Sequence, residues 1–90
     1  MNQCVLITGA SGFIGSNLAK RILTDAPDTR VIGLDNMNDY YDVRIKEARL
    51  KELQAFPNYV FVQGNLADKN LVFDLFETYH PEIVVNLAAQ

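Results

Sequence analysis

Near the N-terminus, three glycines stand at a regular spacing between an apolar run and a segment of helical periodicity. The stretch TGASGFIGSNL contains Gly9, Gly12 and Gly15. Where a strand passes into a helix through such a loop, free N–H groups and the positive helix end attract an anion. Gly9 allows a tight turn, Gly12 presents no Cβ to an approaching pyrophosphate, and Gly15 lets the helix lie close on the sheet. The pattern predicts a pyrophosphate site, and it is not a P-loop because no Lys-Ser/Thr pair follows the last glycine.

An acidic residue stands where a dinucleotide site of this kind needs one. Asp35 ends the second β-rich run and lies 20 residues beyond Gly15, the position from which a carboxylate accepts hydrogen bonds from an adenosine ribose. The alternative is an ordinary turn residue before Asn36. A ribose 2′-phosphate would be repelled by this carboxylate, and the sequence does not place Arg30 or Arg44 closely enough to reverse that preference. We therefore expect NAD as the cofactor, in preference to NADP.

Periodicity divides the chain into alternating strands and helices. Ile14, Leu18, Ala19, Ile22 and Leu23 have the spacing of a helix face that ends before DAPD, and Asp68 is placed to cap a third helix. The expected strands are 4–8, 30–35, 59–64 and 82–89, with a helix after each of the first three, the last of them over 68–80.

Strands that alternate with helices in this way indicate a parallel sheet with right-handed crossovers. We expect an α/β fold: a Rossmann-like parallel sheet with helices on both faces and spatial strand order 3-2-1-4. A full sheet of this type has further strands beside the fourth. The 90 residues are therefore interpreted as the truncated front half of a larger NAD-binding domain.

The second helix carries an apolar face and a charged face. The apolar positions are Tyr41, Ile45, Ala48 and Leu53, and the acid-first pairs four residues apart are Asp42 with Lys46 and Glu47 with Lys51. Such pairs support a solvated outer helix face. We interpret these charges as structural and not as a binding patch.

Composition narrows the function classes. The net charge of −3 gives no basic footprint for nucleic acid or anionic lipid. No run approaches the length of a membrane span, and no secretory signal is visible. The only cysteine, Cys4, lies in an apolar run and is expected to be buried, and His80 is expected to be a helix-end residue. Together these features favour a cytoplasmic location.

Four segments, in order, resemble one known family. TGASGFIG, GLDNMNDYYDVRIKEARL, GNLAD and VVNLAAQ are similar to the extended short-chain dehydrogenase/reductases, specifically the NAD-dependent nucleotide-sugar epimerases and dehydratases. Within these, LDNMNDYYD followed by a basic helix is most similar to UDP-glucuronate 4-epimerases. The resemblance spans essentially the whole chain and implies a UDP-sugar as the substrate of the parent protein.

The resemblance also implies roles for individual residues. Phe13 and Ile14 would lend backbone N–H groups to the pyrophosphate, beside Gly9, Ser11, Gly12 and Gly15. Asp35 would hold the adenosine ribose. The remaining candidates divide by region: Asn36, Asn38 and Asp39 on the adenosine side, Asn65 and Leu66 flanking the adenine, and Leu87, Ala88 and Ala89 under the part of the cofactor near the nicotinamide.

Two positions depart from the family pattern. Asn65 stands where an Asp is usual, and its amide oxygen accepts a hydrogen bond with less charge assistance. Asn86 stands where a His is common.

The family's catalytic Tyr-x-x-x-Lys pair is not found. In it the Tyr is the general base on the sugar 4-hydroxyl and the Lys lowers its pKa. The tyrosines here precede other residues at that distance: Tyr40 precedes Arg44, Tyr41 Ile45, Tyr59 Gln63 and Tyr79 Ile83. The catalytic element and the sugar-nucleotide domain would lie beyond Gln90, so residues 1–90 are expected to be inactive alone.

Three interpretations follow. The parent is a UDP-glucuronate 4-epimerase, or it is a 4,6-dehydratase or another oxidoreductase of the same family, or the chain is a non-catalytic NAD-binding module. The apolar fourth strand would leave an open sheet edge in the 90-residue chain, so self-association through that edge is expected.

Overall fold

The elements alternate as the periodicity predicts. The computed structural model of the chain describes residues 3–37 and 43–87. Its elements are β1 (Cys4–Thr8), α1 (Phe13–Asp25), β2 (Arg30–Asp35), α2 (Val43–Leu53), β3 (Tyr59–Gln63), α3 (Lys69–Tyr79) and β4 (Ile83–Asn86). The fourth strand is shorter than the predicted 82–89, and its last two predicted residues lie outside the described residues.

The strands form one parallel sheet in the predicted order. The spatial order is β3-β2-β1-β4, and β1 pairs with β2 on one side and with β4 on the other. Ile7 at the centre lies between Gly33 of β2 and Val85 of β4. The carboxyl ends of β1, β2 and β4 therefore meet at one edge of the sheet, which confirms the Rossmann-like prediction.

Alternate residues of the strands build two apolar layers, one on each face of the sheet. On one face, Val5, Ile7 and Val31 pack with α1 and with Leu53 of α2. On the other, Leu6, Ile32 and Leu34 pack with Leu75 of α3. Both central strands are consequently buried on two sides, as parallel strands usually are.

The first helix buries a narrower face than its apolar spacing predicts. Ala19 and Leu23 are buried, and Leu18 and Ile22 pack at the margin of the same layer. Ile14 was expected on this face but is 65% exposed. It lies in the first turn, beyond the reach of the layer that covers the sheet.

The buried face of α2 differs from the predicted one. Ile45 and Ala48 are exposed, and Tyr41 lies outside the described residues. Lys46 is buried, Leu50 packs against the core and Leu53 is buried. The spacing of Lys46, Leu50 and Leu53 is that of a single helix face, so the prediction that Lys46 belongs to a solvated face was wrong. Its predicted pair with Asp42 lies outside the described residues.

The ends of α3 match the sequence-based expectations. The Asp68 side chain caps the helix by accepting a hydrogen bond from Leu71 N at 3.2 Å, which satisfies one of the free N–H groups of the first turn. His80 ends the helix in the left-handed conformation, with φ of 49°. Cys4 is buried as expected, and this burial raises the pKa of its thiol.

Across residues 3–37 and 43–87, no helix has both the length and the apolar character needed to cross a membrane.

One edge strand of the sheet is β4, and much of this strand is accessible to solvent. Ile83 is 47% exposed and Val84 48% exposed, and Phe73 on α3 is exposed as well. An apolar edge strand with unpaired backbone groups is a template for pairing with another chain. The position of β4 at the edge agrees with the expected order, and self-association remains a prediction.

We predict that the 90-residue chain forms a dimer or larger assembly through β4 at high concentration, measurable by light scattering. The double substitution Val84→Lys and Val85→Lys should restore a monomer, because charge blocks pairing at the edge. The same two charges placed at exposed Thr24 and Gln54 form the matched control and should leave the assembly intact. A clean monomer of the unsubstituted chain, or an assembly that survives the β4 charges, would contradict the prediction.

Candidate functional site

The glycine loop follows β1 and is hydrogen-bonded to the end of the neighbouring strand β2. Gly9 N and Ala10 N both donate to Leu34 O, at 2.9 and 3.3 Å. Gly9 has φ of 72°, the left-handed region that residues with a Cβ adopt at a cost. The tight turn assigned to Gly9 from the sequence is therefore observed, and it anchors the loop to the neighbouring strand.

Gly15 lets α1 lie directly against this turn. A Cβ at Gly15 would overlap the carbonyl oxygen of Gly9 and stand 3.0 Å from its carbonyl carbon. The close approach predicted for Gly15 is thus observed, although its partner is the loop and not the sheet itself. Gly12 is less constrained, since its Cβ would lie 3.3 Å from the same oxygen and its φ of −72° suits any residue.

The first turn of α1 presents backbone donors at the surface. The first bond of the helical ladder runs from Ser16 N to Gly12 O, at 2.9 Å. The N–H groups of Phe13, Ile14 and Gly15 precede it and have no carbonyl of the same helix to donate to. Gly12 at the N-cap has no side chain to occupy them. This helix end can therefore bind an anion.

Asp35 lies beneath the loop and joins three segments. Its Oδ2 accepts from Ser11 N at 2.9 Å. Its Oδ1 accepts from Met37 N at 2.8 Å and from Lys46 Nζ at 3.0 Å. The glycine loop, the turn after β2 and helix α2 are thus held by one carboxylate, so Asp35 is more than an ordinary turn residue.

Helix α2 also contacts the loop through a second cation. Arg49 Nη1 donates to Ser11 O at 3.3 Å, and its guanidinium carbon lies 5.8 Å from the centre of the Phe13 ring. Ser11 is therefore bonded at its N–H by Asp35 and at its carbonyl by Arg49. Its hydroxyl is buried, with no hydrogen-bond partner among the described residues.

Tyr59 reaches the same region from β3. A Cβ at Gly33 would overlap the Tyr59 hydroxyl, so the ring lies across the sheet where β2 has no side chain. Burial raises the pKa of Tyr59, and the nearby negative charge of Asp35 raises it further. The phenol therefore stays protonated. It is no candidate for a base, which agrees with the absence of Lys four residues beyond it.

Comparisons with known proteins identify the family. The family model described as GDP-mannose 4,6 dehydratase matches residues 6–90. The chain belongs to this family. UDP-glucuronate 4-epimerase 1 of Arabidopsis thaliana is 44% identical over 88 residues, covering 96% of this chain and 19% of that protein.

Two solved structures are similar to this chain in fold. The dTDP-glucose 4,6-dehydratase of Bacillus anthracis, in complex with NAD, superposes with a TM-score of 0.85 at 28% identity, over 98% of this chain and 27% of that one. The UDP-glucuronic acid 4-epimerase of Bacillus cereus, in complex with UDP-glucuronic acid and NAD, has a TM-score of 0.82 at 26% identity, over 97% of this chain and 26% of that one. These findings confirm the resemblance to epimerases and dehydratases. The chain spans about a quarter of the length of the first curated relatives it matches.

The structure describes some of the residues that were predicted to border the adenosine. Asn36 is exposed beside Asp35, and Asn38 and Asp39 lie outside the described residues. Asn65 is exposed, and its Oδ1 accepts from Ala67 N at 2.8 Å. An Asp carboxylate would accept the same bond, so nothing in the structure explains the departure from Asp at Asn65.

Near the end of β4, Asn86 and Leu87 join β1. Thr8 Oγ1 donates to Asn86 Oδ1 at 2.6 Å, and Leu87 N lies 3.1 Å from both Thr8 O and Thr8 Oγ1. The amide at Asn86 therefore ties β4 to the start of the glycine loop. Leu66 packs against the layer covered by α3, Leu87 is exposed, and Ala88 and Ala89 lie outside the described residues.

The two arginines considered from the sequence are now located. Arg30 begins β2 and stacks over Tyr79 with its guanidinium carbon 5.9 Å from the ring centre, at the opposite end of the strand from Asp35. It cannot reach the ribose position expected at Asp35. Arg44 is exposed in the first turn of α2. Among residues 3–37 and 43–87, the cation that contacts Asp35 is Lys46, which was predicted to lie on a solvated face.

We predict that Gly15→Ala destabilises the chain by about 1–3 kcal/mol, because the added methyl overlaps backbone that cannot move away cheaply. Gly12→Ala should cost less stability, since the nearest atom needs to shift only slightly, yet it should weaken dinucleotide binding. Thermal unfolding followed by circular dichroism measures the first effect and titration calorimetry with NAD the second. Equal loss of stability in the two variants would contradict this reading of the loop.

Proposed function

We propose that the chain is the NAD-binding front part of a nucleotide-sugar epimerase that acts on UDP-glucuronate. One observation carries the proposal: the 2.9 Å hydrogen bond from Ser11 N to Asp35 Oδ2 joins the glycine loop to the acidic residue at the end of β2. This bond supports a pyrophosphate site at the loop beside a ribose site at Asp35, as a dinucleotide would require. The relatives and solved structures named UDP-glucuronate 4-epimerase support the choice of substrate.

The residues present fit such a cofactor. The N–H groups of Phe13 and Ile14 would bind the pyrophosphate at the open end of α1, and the missing side chain at Gly12 leaves it room to approach. Asp35 would accept a ribose hydroxyl. Asn36 and Leu66 would border the adenosine, with Asn65, and Leu87 would lie toward the nicotinamide.

The bound cofactor would supply hydride transfer at C4 of the sugar, giving a 4-keto sugar that is reduced on its other face. This chain's share of the work is to bind and orient the dinucleotide. The residues that move protons on the sugar, the Tyr-x-x-x-Lys pair and the sugar-nucleotide domain are proposed to belong to sequence beyond Gln90. A UDP-sugar would then be the partner of the whole protein.

A second candidate is a nucleotide-sugar 4,6-dehydratase. It is favoured by the matching family model and by the TM-score of 0.85 with the Bacillus anthracis dehydratase. Both enzymes would use the same cofactor site, so the described residues serve either reaction. A non-catalytic NAD-binding module is the third candidate, and a coding sequence without Tyr-x-x-x-Lys downstream of Gln90 would favour it.

We predict that the 90-residue chain binds NAD but forms no UDP-galacturonate from UDP-glucuronate. Binding needs the loop and Asp35, whereas turnover needs a tyrosine base with its lysine. Titration calorimetry measures the binding, and chromatography of a long incubation measures the product. Product formed by rigorously purified chain would contradict the assignment of catalysis to other residues, and absence of NAD binding would contradict the assignment of the site.

A further inference from the structure

Lys46 and Asp35 form a buried ion pair directly under the glycine loop. Lys46 Nζ lies 3.0 Å from Asp35 Oδ1, and their side chains are only 9% and 3% exposed. A pair removed from water in this way is screened much less by salt than a surface pair. The Asp35 carboxylate, which a dinucleotide would contact, is therefore not an isolated negative charge. It is one half of a neutral pair.

The hydrogen bonds around Asp35 limit what else it can accept. A carboxylate offers about four lone-pair positions. Met37 N and Lys46 Nζ occupy Oδ1, and Ser11 N occupies one position of Oδ2. One position on Oδ2 remains, enough for a single ribose hydroxyl.

A ribose bonded there would lie close to the lysine. The hydroxyl and Nζ would each be within hydrogen-bond distance of the same carboxylate, which places them roughly 6–8 Å apart at most. A phosphate on that hydroxyl extends further and meets both charges of the pair. Its affinity then depends on the balance between Asp35 and Lys46.

We propose that Lys46 is a specificity-determining residue for the dinucleotide, acting with Asp35 to set the preference between NAD and NADP. This inference rests on the proposed function, since it presumes that a dinucleotide binds at the loop. Asp35 rejects the 2′-phosphate, and Lys46 offsets part of that rejection. Removal of either member of the pair shifts the preference in opposite directions.

The experiment compares the affinities of the chain for two probes that differ only by a phosphate at the ribose 2′ position, AMP and 2′,5′-ADP, by titration calorimetry at low salt. For Lys46→Met, the ratio of the two dissociation constants should move about tenfold against 2′,5′-ADP, because Asp35 is left uncompensated. For Asp35→Asn, which keeps the shape of the side chain, the ratio should move about tenfold toward 2′,5′-ADP. A purely structural role for Lys46 would weaken both probes equally and leave the ratio unchanged.

Two further variants supply the controls. Lys46→Arg keeps the charge and should hold the ratio within about threefold of the unsubstituted chain. Lys51→Met removes the same charge from an exposed position of α2 and should leave the ratio unchanged. If Lys46→Met fails to fold, Asp35→Asn and the double substitution Asp35→Asn with Lys46→Gln decide the question: the single variant should shift the ratio toward 2′,5′-ADP, and the double variant should lose that shift.

The outcomes separate this inference from the proposed function. Unsubstituted chain that binds neither NAD nor AMP overturns the proposed function and the inference with it. Chain that binds both probes with a ratio unmoved by substitution at Lys46 and Asp35 overturns the inference alone. Opposite shifts in the two variants, with Lys51→Met unchanged, support it.

Discussion

One buried carboxylate holds together the parts of the molecule that form the site. Asp35 ends a strand, and its side chain accepts hydrogen bonds from the glycine loop, from the turn that follows the strand and from α2. Without these donors, a charge removed from water at this depth would be costly. The three segments therefore have one arrangement in which the charge is satisfied, and that arrangement places an open helix end beside the position proposed for the ribose.

The close packing around this carboxylate explains why Gly15 and Gly33 have no side chain. Gly15 brings α1 against the Gly9 carbonyl, and Gly33 makes room for the Tyr59 ring beneath Ala10. Each contact would be lost if a methyl group stood in its place. Backbone proximity, more than side-chain chemistry, builds the part of the site proposed to bind a pyrophosphate. The protonated phenol of Tyr59 lies under this part as a polar group in an apolar layer.

Sequence alone was sufficient for the sheet and for the tight turn and close packing of the glycine loop. The apolar runs and their helical connections specify the strand order because crossovers have one hand, and the glycine spacing identifies the loop. The role of Lys46 could not be obtained from charge pairing within its own helix, since the partner that determines its burial is Asp35 on a neighbouring strand. The helical spacing of Lys46 with Leu50 and Leu53 indicated that Lys46 lies on the buried face of α2. A lysine on a buried face can be predicted, however, only when an acidic partner is known to lie opposite it. The role of Asn86 could not be predicted either, because its hydrogen-bond donor, Thr8, lies on a different strand.

The position of β1 has a consequence for how the chain acquires its structure. Its pairing with β2 joins strands that are neighbours in sequence, whereas its pairing with β4 joins residues separated by 78 positions, such as Val5 and Ile83. Closing the longer loop, roughly threefold the length of the shorter, costs only about 1 kcal/mol more in chain entropy. It does, however, defer completion of the central strand until nearly all of the described chain has been synthesised. Long-range parallel pairing of this kind slows folding, and during that interval one edge of β1 is open to a chaperone or to a neighbouring nascent chain.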